Sequence, residues 1–365
     1  MRSGAGAAAF GAIGSAARTT AAAGARLARF EHERQSAGAW RRRTARTAGV
    51  DAVILSAGLT PAWQQILVFD EYRHGQVNRA AEVHWCASGK VLNAGIAAHT
   101  LGGPSLTLSP LGGSSGAEIR REFDDLGVPG RWIPTRAAVR VCTTLLERST
   151  GTITELVENG RPLTDSELAA FRTAFEEEAR RADAAVVIGS LPFGTPPGYY
   201  RGLIESARCP LVLDFRGPGL LATLELRPLL VKPNRDELAE TIGRPLDTDA
   251  RLIEAMRRLT DGGAEWVLVS QGAGPLWLAS ATSLWRFEPL APEQVVNPIG
   301  CGDALAAGIA WGIRAGWSIP EAVALGISAA ADSVRQLLPC RLDAATVVAR
   351  HRQVRGEQLT EPHPR

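Results

Sequence analysis

The chain has 365 residues, 45% of them hydrophobic and 21% charged, which is enough apolar material for one large core or two smaller ones. A net charge of +2 gives no sign of the concentrated basic face that nucleic acid requires, and no apolar run reaches the roughly 18 residues of a membrane helix. The five cysteines, Cys86, Cys142, Cys209, Cys301 and Cys340, form neither a CxxC pair nor a Cys/His cluster, so a zinc site and a disulfide framework are excluded as expectations and a reducing cytoplasm is the expected compartment.

Residues 1–49 are rich in Ala, Gly, Arg, Ser and Thr, with Glu31 and Glu33 as their only acids. That is the composition of an organelle transit peptide. It equally fits a disordered extension or a start codon set too far upstream, and this second reading is preferred. The fold is therefore expected over 50–355, with 356–365 as a tail.

Val53-Ile54-Leu55 reads as a buried strand, and 89–101 carries apolar residues at helical spacing. A strand over 106–108 precedes an amphipathic helix over 117–126. Strands over 139–146 and 152–157 flank a Ser149-Thr150-Gly151 turn, and Thr164-Asp165-Ser166-Glu167 opens a long helix with N-cap chemistry. Beyond it, β runs at 185–188, 211–213, 229–231 and 266–269 alternate with helices at 197–207, 235–242, 248–260, 302–315, 319–337 and 343–353. Such alternation predicts an α/β fold with a mostly parallel sheet covered on both faces. The hairpin-like pieces at 64–85 and 139–157 break the alternation and are expected to form a small β lid.

Four segments carry candidate chemistry. Gly300-Cys301-Gly302-Asp303 precedes an apolar helix, whose N-terminus offers free amides and partial positive charge to a phosphate, with Asp303 placed to take a proton. A Gly-rich turn with an Asp that merely favours the helix start would look the same. Val231-Lys232-Pro233-Asn234 follows a strand, and Asn234 and Glu237 share one helical face from which they could hold Mg²⁺ through water; a plain helix cap with a polar i,i+3 pair is the alternative. Gly89-Lys90-Val91-Leu92-Asn93 makes a polar helix entrance without P-loop spacing. Gly189-Ser190-Leu191-Pro192-Phe193-Gly194 sits just after a strand, where parallel sheets bind ligands, or is an ordinary strand-to-helix turn. Only two of the 40 basic residues are lysines, and both lie in these motifs. A GC-rich genome accounts for the bias, but a surviving lysine marks a place where arginine's planar fork does not fit.

Taken in order over 51–350, the four segments resemble the ribokinase-like sugar kinases of the phosphofructokinase-B family, in the branch of 1-phosphofructokinases and tagatose-6-phosphate kinases. The resemblance implies a ribokinase-like three-layer sandwich with a β lid, and ATP-dependent phosphorylation of a ketohexose phosphate such as fructose 1-phosphate or tagatose 6-phosphate. Kinase action on an unphosphorylated sugar or nucleoside is the nearer alternative, and a non-catalytic sugar-phosphate sensor the more distant one. By the same resemblance Asp303 is the base, and the amides of Gly300, Cys301, Gly302 and Asp303 form an anion hole. Lys232, Asn234, Ser270 and Gly272 meet ATP, with Asn234 and Glu237 near Mg²⁺. Gln64, Gly89, Lys90, Asn93, Arg140 and Ser190 hold the sugar phosphate, Arg140 taking its phosphate. A homodimer through the lid is the expected assembly. The chain departs from the family pattern at Gln64, where an aspartate is usual, at Gln76 and Asn78 in place of basic lid residues, at Pro298 and Cys301 beside the anion hole, and in a nucleotide loop one residue short after Ser270. Cys301, a thiol at a helix N-terminus, is expected to have a depressed pKa and raised reactivity if it is exposed.

Overall fold

The computed structural model describes residues 53–359; the expectation for 1–49 lies outside them. In chain order the first elements are strands β1 (Val53–Ala57), β2 (Ala62–Phe69) and β3 (Glu82–Ser88), helix α1 (Lys90–Thr100), β4 (Ser105–Leu111), α2 (Gly113–Leu126), β5 (Gly130–Pro134), β6 (Arg140–Glu147) and β7 (Ile153–Val157). They are followed by α3 (Asp165–Ala179), β8 (Ala182–Ile188), α4 (Tyr199–Ser206), β9 (Leu211–Asp214), α5 (Pro218–Leu221), β10 (Leu230–Val231), α6 (Arg235–Ile242), α7 (Asp249–Asp261) and β11 (Trp266–Val269). The hairpin β12 (Leu276–Ser280) and β13 (Leu284–Phe287), helices α8 (Cys301–Arg314), α9 (Ile319–Ser333) and α10 (Ala344–Arg350), and strand β14 (Gly356–Leu359) complete the chain.

Ten strands form one sheet in the order β14-β13-β12-β11-β10-β9-β8-β1-β4-β5. Pairing is parallel from β11 to β5 and antiparallel from β11 to β14. Alternation along β1 sends Leu55 and Ala57 into a cluster with Phe171, Phe175 and Leu203 of α3 and α4. On the opposite face, α1, α8 and α9 pack together. Gly308 and Gly326 make the α8–α9 approach close: a Cβ on Gly308 would lie 2.7 Å from the Gly326 Cα. This is the expected layered α/β architecture.

The lid is the second sheet, ordered β3-β2-β6-β7. Its strands occupy the segments read as hairpin-like. Gly89 joins it to α1 at φ 83°, and a Cβ there would stand 2.9 Å from both Thr60 O and Ala62 N, so only glycine fits this junction.

Three boundaries differ from expectation. The supposed tail contributes β14, which pairs antiparallel with β13 and closes one sheet edge. Gly356 permits this, because a Cβ would fall 2.4 Å from the Phe287 ring. Helix α9 stops at Ser333 rather than 337, because the Val334 carbonyl is taken by the amides of Val296 and Asn297. Helix α2 begins at Gly113 rather than 117, its first turn of glycine and serine being too poor in helix propensity to read as helix.

Candidate functional site

A cleft of about 570 Å³ opens between the lid and the carboxyl ends of the parallel strands, where such sheets bind ligands. The lid supplies its roof through Gln64, Arg140, Cys142 and Glu155. Gly89, Lys90 and Asn93 at the start of α1, Asp214 ending β9, Lys232, Asn234 and Glu237 around the start of α6, Ser270, and the 298–303 turn form the floor and walls.

The electrostatic centre is a residue that the sequence reading did not single out. Asp214, 1% exposed, forms ion pairs with both lysines of the chain: Lys232 Nζ lies 2.8 Å from Oδ2, and Lys90 Nζ donates to Oδ1 at 3.0 Å. Lys90 also reaches Glu237 Oε1 at 3.1 Å. Burial opposes ionisation of Asp214, but the charges of Lys232 and Lys90 outweigh it and hold the carboxyl below its ordinary value. Burial likewise opposes the charge on Lys90, and Asp214 with Glu237 outweighs it, so its ammonium is held above the usual range. The signal available in sequence was an acid ending an otherwise apolar strand, Leu211-Val212-Leu213-Asp214.

Asp303 lies on the first turn of α8, buried, with Oδ2 accepting from Asn93 Nδ2 at 2.8 Å. Burial pushes its carboxyl up to about 7; the negative charge of Asp214 adds to this, while Lys90, Asn93 and Lys232 pull the other way. A carboxyl tuned near neutrality suits proton transfer at physiological pH. The Asn93 Oδ1 atom is buried without a partner, a free acceptor in the cleft wall. Gly300 caps α8 at φ 83°, and its carbonyl takes the amides of Asp303 and Ala304 at 3.0 and 2.8 Å. The Cys301 amide is spent on Pro298 O at 3.2 Å. Of the four amides expected to meet an anion, those of Cys301 and Asp303 are thus engaged by the turn itself. At Gly302 a Cβ would lie only 3.6 Å from Lys232 Nζ, so the bare glycine backbone and an ammonium face the same small space.

Asn234 and Glu237 form a reciprocal capping box: Asn234 Oδ1 accepts the Glu237 amide and Glu237 Oε2 accepts the Asn234 amide. The cap reading holds, and both residues also line the cleft, with Glu237 buried. Each oxygen of the Glu237 carboxylate already takes one donor and keeps a second lone pair, which fits a metal held through water better than one bound directly. Among the described residues no cluster of three His, Cys, Asp or Glu could hold a metal ion. Ser270 lines the cleft and is bridged to Asn234, but Gly272 is exposed and stands off it.

Gln64 turns inward and donates to Thr144 Oγ1 at 2.6 Å. Arg140 is clamped by the carbonyls of Thr60, Pro61 and Glu158 at 3.2, 3.3 and 2.9 Å, which leaves two of its five N–H bonds for a ligand. Ser190 is exposed and lines a neighbouring cleft of about 530 Å³ that shares Lys90, Arg140 and Glu237 with the first; it does not line the cleft that holds Asp303. Gln76 and Asn78 belong to a turn at the lid tip, where Asn78 bonds the Arg73 backbone. Cys301 does not meet the condition of exposure set for it: burial first, and the Asp303 charge second, push its thiol up to about 12, so the helix N-terminus does not activate it.

The family model described as pfkB family carbohydrate kinase matches residues 61–341. An ATP-dependent 6-phosphofructokinase isozyme 2 of Mycobacterium tuberculosis is 33% identical over 282 residues, 76% of this chain and 83% of that protein. Among solved structures, a protein described as a possible 1-phosphofructokinase of Thermotoga maritima superposes with a TM-score of 0.77 at 21% identity, covering 84% of this chain and all of the other. Phosphofructokinase-2 of Escherichia coli, in complex with potassium, gives 0.74 at 21% identity over 84% and 99%. At that identity the two structures speak to the fold alone.

Proposed function

Because the chain belongs to the pfkB family of carbohydrate kinases, and is thus a sugar kinase, we propose that it transfers the γ-phosphoryl group of ATP to a primary hydroxyl of a phosphorylated ketohexose. Fructose 1-phosphate and tagatose 6-phosphate are the leading acceptors, and the name of the Mycobacterium tuberculosis relative puts fructose 6-phosphate beside them.

The observation that carries this reading is Asp303, buried at the start of α8, held by Asn93 and lining one cleft with Lys232 and Gly302. Asn93 orients its carboxylate toward the acceptor, and the free oxygen accepts the hydroxyl proton as the oxygen attacks phosphorus. Lys232 and the Gly302 amide stabilise charge on the transferring group, and Lys90 can turn from Asp214 toward the same oxygens. Asn93 Oδ1 and Gln64 are the candidates for sugar hydroxyls, and Arg140 for the existing phosphate. Asn234 and Ser270 are the candidates for the nucleotide end. Glu237 and Asn234 are the residues that would hold a magnesium ion through water, where it would neutralise phosphate charge.

Kinase action on an unphosphorylated sugar is the second reading. It is favoured by the three carbonyls on Arg140, the Glu155 carboxylate beside it, and Gln76 and Asn78 in place of lid cations. ADP release with fructose 1-phosphate, fructose 6-phosphate, tagatose 6-phosphate, fructose and ribose separates the two. Activity on a phosphorylated ketohexose at least tenfold above fructose is expected, and activity confined to fructose or ribose would overturn the first reading.

The lid's outer face suggests the assembly. Strand alternation turns Trp63, Leu67, Val83, Trp85 and Leu156 away from the cleft, with Trp63 and Trp85 stacked at 6.0 Å and Trp85, Val83 and Leu156 exposed. A second copy of the chain is the proposed cover. Trp85→Glu should shift the sedimenting species toward monomer.

A further inference from the structure

Cys340 is one of two non-glycine residues among those described with positive φ, at 61°. Such a conformation costs free energy and persists only where the surroundings fix it. Here they do. The residue is fully buried, and its amide donates to Ser333 Oγ at 3.2 Å. The thiol points at the turn that opens α8, with Sγ 3.2 Å from the Gly300 carbonyl oxygen. Burial holds that thiol well above its ordinary pKa, so it stays an S–H donor. The space where Gly300 would carry a side chain is filled by Pro339 Cβ at 3.0 Å and Cys340 Sγ at 3.1 Å.

The next residue extends this contact across the molecule. Arg341 donates to Pro339 O at 3.1 Å and pairs with Glu122 on α2. The other oxygen of Glu122 accepts the backbone amide of Ala87, at the end of lid strand β3 and two residues before Gly89. From Gly89 the chain enters α1, whose Asn93 holds Asp303. The lid base, the 339–341 turn and the start of α8 thus form a closed circuit of contacts around the reacting end of the cleft.

We infer that Cys340 is a positioning residue for phosphoryl transfer, clamping the Gly300 turn from outside the cleft, and that Glu122 and Arg341 tie this clamp to the base of the lid. Cys340 touches no substrate. It fixes the direction in which the Gly302 amide and Asp303 face, and Glu122 makes that direction depend on where the lid base sits. The inference rests on the role proposed for Gly302 and Asp303.

The test is steady-state kinetics on the full chain, with ATP affinity measured separately by titration. Cys340→Ala should lower kcat about tenfold, since small misplacements of reacting groups are costly, with ATP Kd and sugar KM within about threefold of wild type. Cys340→Ser, which restores a donor, should recover most of that loss. Cys340→Gly relieves the backbone but removes the donor, so it should keep or raise Tm while still losing kcat. A purely structural role would instead lower Tm in Cys340→Ala and leave kcat per folded enzyme unchanged, which would overturn the inference. If Cys340→Ala fails to fold, Glu122→Gln decides: kcat lowered together with a raised sugar KM supports the coupling, and wild-type values for both refute it. Asp303→Asn keeps the two levels apart. An inactive Asp303→Asn with a fully active Cys340→Ala removes this inference alone, whereas an active Asp303→Asn removes the reading beneath it.

Discussion

Replacing Asp214 by asparagine should expose how much of the site is held by one carboxylate. The change keeps the volume and removes the charge between the two lysines. The Lys232 side chain is 4% exposed and its ammonium lies 2.8 Å from Asp214, so the variant leaves a buried cation without its nearest counter-charge. Breaking such a pair from one side costs about 3–5 kcal/mol. The Lys90 pair adds little, because that side chain is 38% exposed and keeps Glu237; pairs of this kind contribute about 0–1 kcal/mol. Urea unfolding should therefore report a loss of about 3–5 kcal/mol for Asp214→Asn. Adding Lys232→Met removes the stranded charge as well, and the double variant should regain a large part of the loss, a coupling of about 2 kcal/mol or more between neighbours. A single-variant loss below about 1 kcal/mol, or a double variant no more stable than Asp214→Asn, would refute Asp214 as the partner that holds Lys232.

Further expectations follow from the titration of Asp303. The base must be deprotonated to act, so kcat/KM should rise with pH through a midpoint near 7, and in Asp214→Asn that midpoint should move lower because a raising charge is gone; a flat profile between pH 5.5 and 8.5 would contradict this. The sign for stability is opposite. The folded-state pKa is raised from 3.8, so the folded protein holds a proton that the unfolded chain has released, and its contribution is lost as pH climbs toward and through about 7. Asp303→Asn avoids that loss and should be more stable than wild type at pH 8, by up to about 4 kcal/mol, with the difference shrinking toward pH 4. Iodoacetamide at pH 7.5 should modify Cys301 slowly and without protection by ATP, because the thiol is pushed up to about 12; rapid alkylation that ATP blocks would restore the activated thiol.

Much of this was legible in the chain because local chemistry and global layout agree. The Thr164-x-x-Glu167 cap opens α3 with both of its hydrogen bonds made, and helix 235–242 has its expected ends because Asn234 starts it and Gly243 stops it in a left-handed turn. Glycine at 89 and 300 could be read as a demand for close backbone approach, and the contacts around both bear this out, whereas at 302 a Cβ would meet only the tip of Lys232 at ordinary distance. What escaped was long-range. Nothing near Asp214 in sequence indicates that residues 124 and 18 positions away bring it two ammonium groups. The Cys301 expectation failed for a related reason. Helix-terminus chemistry is local, but the burial that pushes the thiol up comes from the tertiary fold, and the Asp303 charge two residues on adds to it. Strands β5, β12, β13 and β14 were unread because short segments at the ends of the sheet take their register from their neighbours rather than from a pattern of their own.

The most direct test of the central claim is turnover by Asp303→Asn. ADP release is followed at saturating ATP with whichever ketohexose phosphate the wild type prefers, and ATP affinity is measured on the same preparation. The account predicts a fall in kcat of roughly 10²–10⁴, with ATP Kd within about threefold of wild type. Turnover at the wild-type rate would contradict it, because the phosphoryl transfer would then proceed without the base around which the whole cleft is arranged.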